Sequence, residues 1–257
     1  MSSKSIVILA GPSVSNAIIF NHLAPRLNVT RVIVEKRLSR FTVFRKRVKK
    51  FGAASALGQV AFRSLIFPLL QATSRKRLGQ IAAENKLAMT AIPEGLVARV
   101  DSANSPETIA LLKEMAPAVV IVNGTRMLSP EVLDAVHSRF INLHAGITPR
   151  YRGVHGAYWA LAEGRSDLCG VTVHEIDAGI DTGPALAQAA IHPRTSDNFA
   201  TYQMLQLAAS LPLLDSVLPK LMENAEITPL TSNEGSNLWS HPTAGQYVRN
   251  RMLRGVK

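Results

Sequence analysis

Residues 5–23 read SIVILAGPSVSNAIIFNHL, and the order of residue types in this stretch decides the fold. Ile6, Val7, Ile8 and Leu9 are apolar without alternation, the mark of a strand covered on both faces. Gly11 and Pro12 end that run, and the residues beyond them read as a helix. Strand, glycine turn and helix in this order form the opening unit of a parallel α/β sheet.

The alternation continues outward. VTRVIVEKR (29–37) is a second strand ending near Glu35, and LAMTAI (87–92) is expected to be the next. PETIALLKEM (106–115) follows as a helix that Ser105 caps and Pro106 begins. AVVIV (118–122) and RFINLH (139–144) are further strands, with a short helix from about Ser129–Pro130 between them. Residues 170–191 read as two strands joined by a tight acidic loop, and a last helix runs from Asn198 to about Leu214. The expected fold is α/β, Rossmann-like and doubly wound, with a mostly parallel sheet whose ligands lie beyond the carboxyl ends of the strands. The expected domain is residues 1–220, carrying a basic helical insertion over about 37–86, with a short C-terminal tail over 221–257. Trp239 and Tyr247 in that tail either anchor it to the core or stack on a base.

Apolar residues make up 47% of the 257 and charged residues 18%, which suits a packed core and excludes a disordered chain. The one cysteine, Cys169, excludes an internal disulfide and a cysteine metal cluster. With Ile6–Ala10 too short for a secretory signal, a cytoplasmic setting is expected. Ala53–Leu70 is the longest apolar run, and Gly58, Gln59, Arg63 and Pro68 interrupt it, so no clean membrane span is expected. The net charge of +11 is concentrated: Lys36 to Lys86 holds thirteen Lys or Arg residues and a single acid, Glu84. Leu38, Phe41, Phe44, Val48 and Phe51 recur there at helical steps between cations. Such a segment packs its apolar face on the sheet or on a partner in a homodimer, meets an anionic membrane at its inner face, or binds RNA. No aromatic interleaving or RNA module supports the last.

Two segments carry candidate chemistry. In INLHAGITPRYRGVHGAYWAL (141–161) a strand delivers Asn142 and His144 to one face at its carboxyl end, before a Gly- and Pro-containing loop. In GVTVHEIDAGIDTGPALAQAAI (170–191) the loop between strands holds Asp177, Gly179, Asp181, Gly183 and Pro184. Taken singly, a histidine near a strand end is a hydrogen-bonded structural group more often than not, and Asp177 and Asp181 suit an Asx turn. The first turn, AGPSVSNA (10–17), has only Gly11, so the dinucleotide fingerprint is absent and a plain strand-to-helix turn competes with a phosphate cradle using Ser13.

Jointly, these segments resemble the folate-dependent formyltransferase family, whose signature is Asn-x-His, a loop to Pro and Gly, and then Asp-x-Gly-x-Asp-x-Gly. The matches are Asn142, His144, Pro149, Gly153, Asp177, Gly179, Asp181 and Gly183. VNGTRMLSPEVL (122–133) resembles the family's folate-contacting loop, and the likeness spans about residues 5–35 and 87–215. The resemblance implies 10-formyltetrahydrofolate as donor and no metal. It implies catalytic roles for Asn142, His144 and Asp181, the first two as donors to the developing oxyanion and Asp181 orienting a charged His144. It implies folate contacts from Arg126, Met127, Leu128, Asp177, Gly179 and Ile180, those of 126–128 mainly through backbone. Ser13, Arg150, Tyr151, Arg152 and His155 are the candidates for the acceptor's diphosphate.

Among branches of the family, methionyl-tRNA formyltransferase adds a C-terminal barrel-like domain, for which the segment after the last expected helix is short. Formyltetrahydrofolate deformylase adds an N-terminal regulatory domain, whereas the pattern here starts at residue 5. Glycinamide ribonucleotide formyltransferase lacks a basic insertion. The chain is most similar to sugar-nucleotide N-formyltransferases of the GDP-perosamine type, which serve surface-polysaccharide (O-antigen, lipopolysaccharide) synthesis. The expected partner is therefore a small nucleotide-linked amino sugar rather than a nucleic acid. A folate- or nucleotide-binding module without turnover is the alternative of another class.

Overall fold

In the computed structural model, which describes residues 4–257, the apolar runs become one seven-stranded sheet. Its first half comprises β1 (Ile6–Ala10), α1 (Ser15–Leu23), β2 (Val29–Glu35), the insertion helices α2 (Arg40–Phe51), α3 (Ala53–Ala61), α4 (Phe67–Thr73) and α5 (Arg75–Glu84), β3 (Val97–Val100), α6 (Pro106–Met115) and β4 (Val119–Asn123). The second half comprises α7 (Pro130–Leu133), β5 (Arg139–His144), β6 (Arg152–Gly153), α8 (Gly156–Ala162), β7 (Gly170–Glu175), β8 (Ala185–Ala190), α9 (Phe199–Met222), β9 (Leu238–Trp239) and α10 (Ala244–Arg254). The sheet order is β3-β2-β1-β4-β5-β7-β8. The five strands from β3 to β5 are parallel, and β7 and β8 add antiparallel pairs at one edge. This is the doubly wound, mostly parallel α/β sheet expected from the sequence.

β1 shows why the apolar run is continuous. Ile6, Ile8 and Ala10 join the core under α1 and α9, while Val7 and Leu9 join the core under α6 and α7. All five are fully buried, and each large side chain contributes roughly 1.5–3 kcal/mol by leaving water. The order of strands reverses at β1 and β4, so the loops after them face each other across the crevice where this fold binds ligands. A Cβ at Gly11 would collide with the carbonyl oxygen of Gly124, so these two loops approach closely only because Gly11 lacks a side chain.

Three expectations need correction. Residues 87–92 form no strand; β3 lies later, at Val97–Val100. The Asn21 amide donates to the carbonyls of Ala88 (3.2 Å) and Thr90 (2.7 Å), so a side chain takes the place of a strand ladder there. Pro68 does not interrupt the apolar run as a helix. A π-turn over Phe62–Ile66 precedes it, with the Phe67 amide donating to the Phe62 carbonyl, and this accommodates a residue that has no N–H of its own. The helix therefore runs unbroken over Ala53–Thr73, 21 residues, long and apolar enough by length and composition to cross a membrane. Lastly, α9 continues past Leu214 to Met222 through Pro212 and Pro219, because Leu214, Val217, Leu218 and Leu221 remain buried.

A third core, rich in aromatics, gathers Phe62, Tyr158, Trp159, Phe199, Tyr202 and Tyr247. The C-terminal segment enters it. β9 pairs with β6, Trp239 stacks on Trp159 (4.6 Å between ring centroids), and Tyr247 is buried. Both residues anchor this segment, which is the first of the two roles considered for them. The insertion is pinned by a buried ion pair, Arg77 Nε to Asp197 Oδ1 at 2.8 Å and Arg77 Nη2 to Asp197 Oδ2 at 3.2 Å. In contrast, α2 buries none of its residues.

Candidate active site

β5 carries Asn142 and His144 to the carboxyl edge of the sheet. β7 runs antiparallel beside it, and the register sets His174 opposite Asn142. The loop after β7 returns Asp181 to the same point. Asp181 has φ +51°, a left-handed conformation that aspartate tolerates better than most residues. A Cβ at Gly183 would collide with the Glu175 carbonyl oxygen, so the loop folds this tightly onto β7 only with glycine there.

The side chains form one closed network. The Asn142 amide donates to Asp181 Oδ1 (3.2 Å) and lies 3.2 Å from His174 Nε2. His174 Nδ1 is 2.6 Å from the Glu175 carbonyl, which can only accept, so its proton sits on Nδ1 and Nε2 accepts from Asn142. By the same reasoning His144 Nε2 donates to the Tyr151 carbonyl at 2.7 Å. Its other nitrogen, Nδ1, lies 3.3 Å from Asp181 Oδ2, which also accepts from the Gly153 amide (2.9 Å).

Burial pushes the His144 imidazole below its ordinary range, and the opposing charge of Asp181 does not overcome this. Burial also works against the charge of Asp181, yet the neighbouring His174 and His144 rings and the Gly153 amide hold its carboxyl below the usual carboxylate range. The site thus favours a neutral imidazole beside an ionised carboxylate, whereas the sequence reading expects a charged His144. A proton arriving on His144 Nδ1 is stabilised by Asp181 at hydrogen-bonding reach.

These groups sit in a cleft of about 1120 Å³. Its walls include Ser13 and Ser15 after β1, the loop from Asn123 to Leu128 after β4, and Asp177 to Asp181. The insertion supplies Arg37, Gln71, Leu78 and Gly79, so it roofs the cleft rather than standing apart from it. Among the described residues no cluster of His, Cys, Asp and Glu has the makings of a metal site.

The structure sorts the residues singled out from the sequence. Arg126 lines the cleft, but its guanidinium turns away. It meets Glu35 (Nε to Oε2, 2.6 Å) and donates to Ser102 Oγ (2.9 Å), clamping the loop in place. Met127 is 62% exposed at the cleft wall, and Leu128 is buried in the core. Asp177 shapes its loop, accepting from the Gly179 amide (3.0 Å) and from Thr182 Oγ1 (2.7 Å). Gly179 and Ile180 line the cleft.

Of the acceptor candidates, Ser13 and His155 are in the wall, and Arg150, Tyr151 and Arg152 are not. The Arg150 guanidinium and the Tyr151 hydroxyl both reach Glu163, at 3.0 and 2.9 Å. Tyr151 is fully buried, and Arg152 donates to the Ile180 carbonyl (3.2 Å). The loop after β5 turns back onto the aromatic core, which carries these side chains away from the cleft.

Sequence reasoning missed His174, Arg37, Asn123 and His241. His174 stands inside the quoted 170–191 segment, and pairing that strand against RFINLH would have placed it opposite Asn142. Asn123 ends an expected strand, where its amide donates to Asn16 Oδ1 (2.6 Å) and Ser15 Oγ (2.8 Å) and ties the two crevice loops together. Arg37 donates to the Pro12 carbonyl (2.9 Å), over the first turn. No local signal marks His241, which comes from the C-terminal segment to lie 2.9 Å from His155 Nε2.

Residues 70–206 match the family model described as Formyl transferase. A methionyl-tRNA formyltransferase of Microcystis aeruginosa is 37% identical over 123 residues, 48% of this chain and 37% of that protein. The chain spans 37–53% of the length of the first curated relatives it matches. In fold it is similar to a 4-N formyltransferase of Francisella tularensis (TM-score 0.54, 15% identity, 91% of this chain and 75% of that one). It is similar also to phosphoribosylglycinamide formyltransferase of Streptococcus pneumoniae TIGR4 (TM-score 0.54, 20% identity, 85% of this chain and 98% of that one).

Proposed function

Because the chain belongs to the formyl transferase family, its matching segment covering more than half of the sequence, we propose that it moves a formyl group from 10-formyltetrahydrofolate to the amine of a nucleotide-linked amino sugar. The observation that carries this reading is the cluster of Asn142, His144 and Asp181 joined in one network on the wall of a cleft of about 1120 Å³.

The walls suit a folate. The loop after β4 is held by the Arg126 clamp and by buried Leu128, which leaves its backbone and the exposed Met127 side chain to face a planar ring, with Ile180 nearby. Bound there, the donor supplies an electrophilic formyl carbon and a nitrogen leaving group. Asn142 donates from its amide to the formyl oxygen as negative charge develops, exchanging its bond to Asp181 for that one. His144, held neutral by burial, takes the amine's proton, and Asp181 stabilises the imidazolium until the proton passes to the departing nitrogen. His174 holds Asn142 in register. Ser13, Arg37 and His155 line the cleft where a diphosphate-linked sugar enters.

A second reading, methionyl-tRNA as acceptor, is favoured by the sequence relatives of that name. Its phosphates would meet the cations of residues 36–86. To decide, the full chain is incubated with 10-formyltetrahydrofolate and, separately, GDP- and dTDP-linked 4-amino-4-deoxy sugars, glycinamide ribonucleotide and methionyl-tRNA, with His144→Ala alongside. The expected result is a mass gain of one formyl group on an amino sugar, lost in the variant. Formylation of methionyl-tRNA alone assigns the second reading. Equal rates for wild type and variant overturn the catalytic assignment.

A further inference from the structure

We infer that the insertion is a docking surface for an anionic lipid bilayer, with the helix over Ala53–Thr73 lying in the plane of the interface. One side of this helix is spent on the protein. Phe62 is 3% exposed, and its ring meets Phe199 at 4.8 Å and Tyr247 at 5.1 Å between centroids. Gly58 lies so close to the Thr243 side chain that a Cβ there would touch it at 2.8 Å. The other side is a row at helical spacing, and it faces outward. Leu57 is 59% exposed, Val60 38%, and Leu65 and Leu69 68% each. A helix held along one side cannot be wrapped by lipid, so it lies on a bilayer rather than crossing it.

Charge identifies the occupant. α2 packs beside α3, and its exposed face carries Arg45, Lys46, Lys49 and Lys50. The Arg45 guanidinium sits 5.8 Å from the centre of the Phe41 ring and the Lys50 ammonium 5.4 Å from that of Phe51, amphipathic pairs suited to the headgroup level. With Arg45, Lys46, Lys49 and Lys50 exposed side by side and no acid between Lys36 and Glu84, this face repels a second copy of itself and attracts an anionic surface. An RNA would use the cations and leave the exposed leucines in water. A bilayer interface takes both.

The test is co-sedimentation of the full chain with vesicles of phosphatidylcholine alone and of equal parts phosphatidylcholine and phosphatidylglycerol. Binding is expected to the anionic vesicles only and to weaken as salt is raised. Lys49→Ala with Lys50→Ala is expected to weaken it roughly 25-fold, about fivefold for each cation. Leu65→Ser with Leu69→Ser is expected to weaken it by about tenfold or more, while its circular dichroism and melting match the wild type. No sedimentation with anionic vesicles at low salt overturns the proposal, as does sedimentation that the leucine variant leaves unchanged. So does a dimer in light scattering that the leucine variant dissociates, or capture of single-stranded RNA in preference to vesicles.

Discussion

At His144 the contest between burial and charge sets how the site works. Burial dominates, so the imidazole is neutral and the acid limb of the kcat profile lies below the ordinary histidine value of 6.5. Asp181 pulls the other way. Replacing it, Asp181→Asn, therefore moves that limb to still lower pH, and turnover falls because the imidazolium loses its partner; a pH series of kcat reads both effects. His144→Ala is expected to lower kcat by about 10²–10³, measured beside circular dichroism to show that the fold persists. His174 positions Asn142. His174→Leu lowers kcat about tenfold with little change in KM, and His174→Gln restores part of it by offering an acceptor again. Asn142, His144 and Asp181 stand out in the sequence because their segments jointly resemble the family signature, and the structure joins them in one network. His174 becomes legible only with the β5–β7 register. The outward turn of Arg150 and Tyr151 depends on Glu163 and the aromatic core, partners no local pattern announces.

At the scale of elements, the strands of the parallel half are written as continuous apolar runs, since burial on both faces leaves little room for polar residues. What the sequence hides are contacts from afar: Asn21 claiming the carbonyls of residues 88 and 90, or a π-turn carrying a helix through Pro68. The insertion depends on one such contact. Arg77 on α5 is 8% exposed at its side chain and Asp197 not at all, so removing one partner leaves the other charged in the interior. Arg77→Met is expected to cost about 3–5 kcal/mol in urea unfolding. Because α5 also brings Leu78 and Gly79 to the cleft, KM for the acceptor rises in the same variant under conditions where it remains folded. An unchanged KM would separate the insertion from acceptor binding.

Across the whole molecule, the C-terminal segment and the loop after β5 meet at His155 and His241, 2.9 Å apart, and Arg47 and Arg63 of the insertion lie close enough for their charges to act on both. Burial holds His241 down to about 3, and the positive charges of Arg47 and Arg63 add to it. His155 is pushed well below its ordinary value by burial, by His241 and by the same two arginines. Both residues bind protons more readily in the unfolded chain, so stability rises with pH wherever the unfolded chain has taken them up. Their contribution is complete above the ordinary value of 6.5 and is lost as pH falls from there, for His241 until about 3. Each histidine removes about 1.4 kcal/mol per pH unit within that window. Between roughly pH 6.5 and 5 the usual carboxylate titrations contribute little, so the slope of unfolding free energy there reports histidines. The wild type is expected to lose stability across this interval, and His241→Asn to show a shallower slope. Identical slopes would mean that this junction opens without global unfolding, and that the three segments do not unfold as one unit.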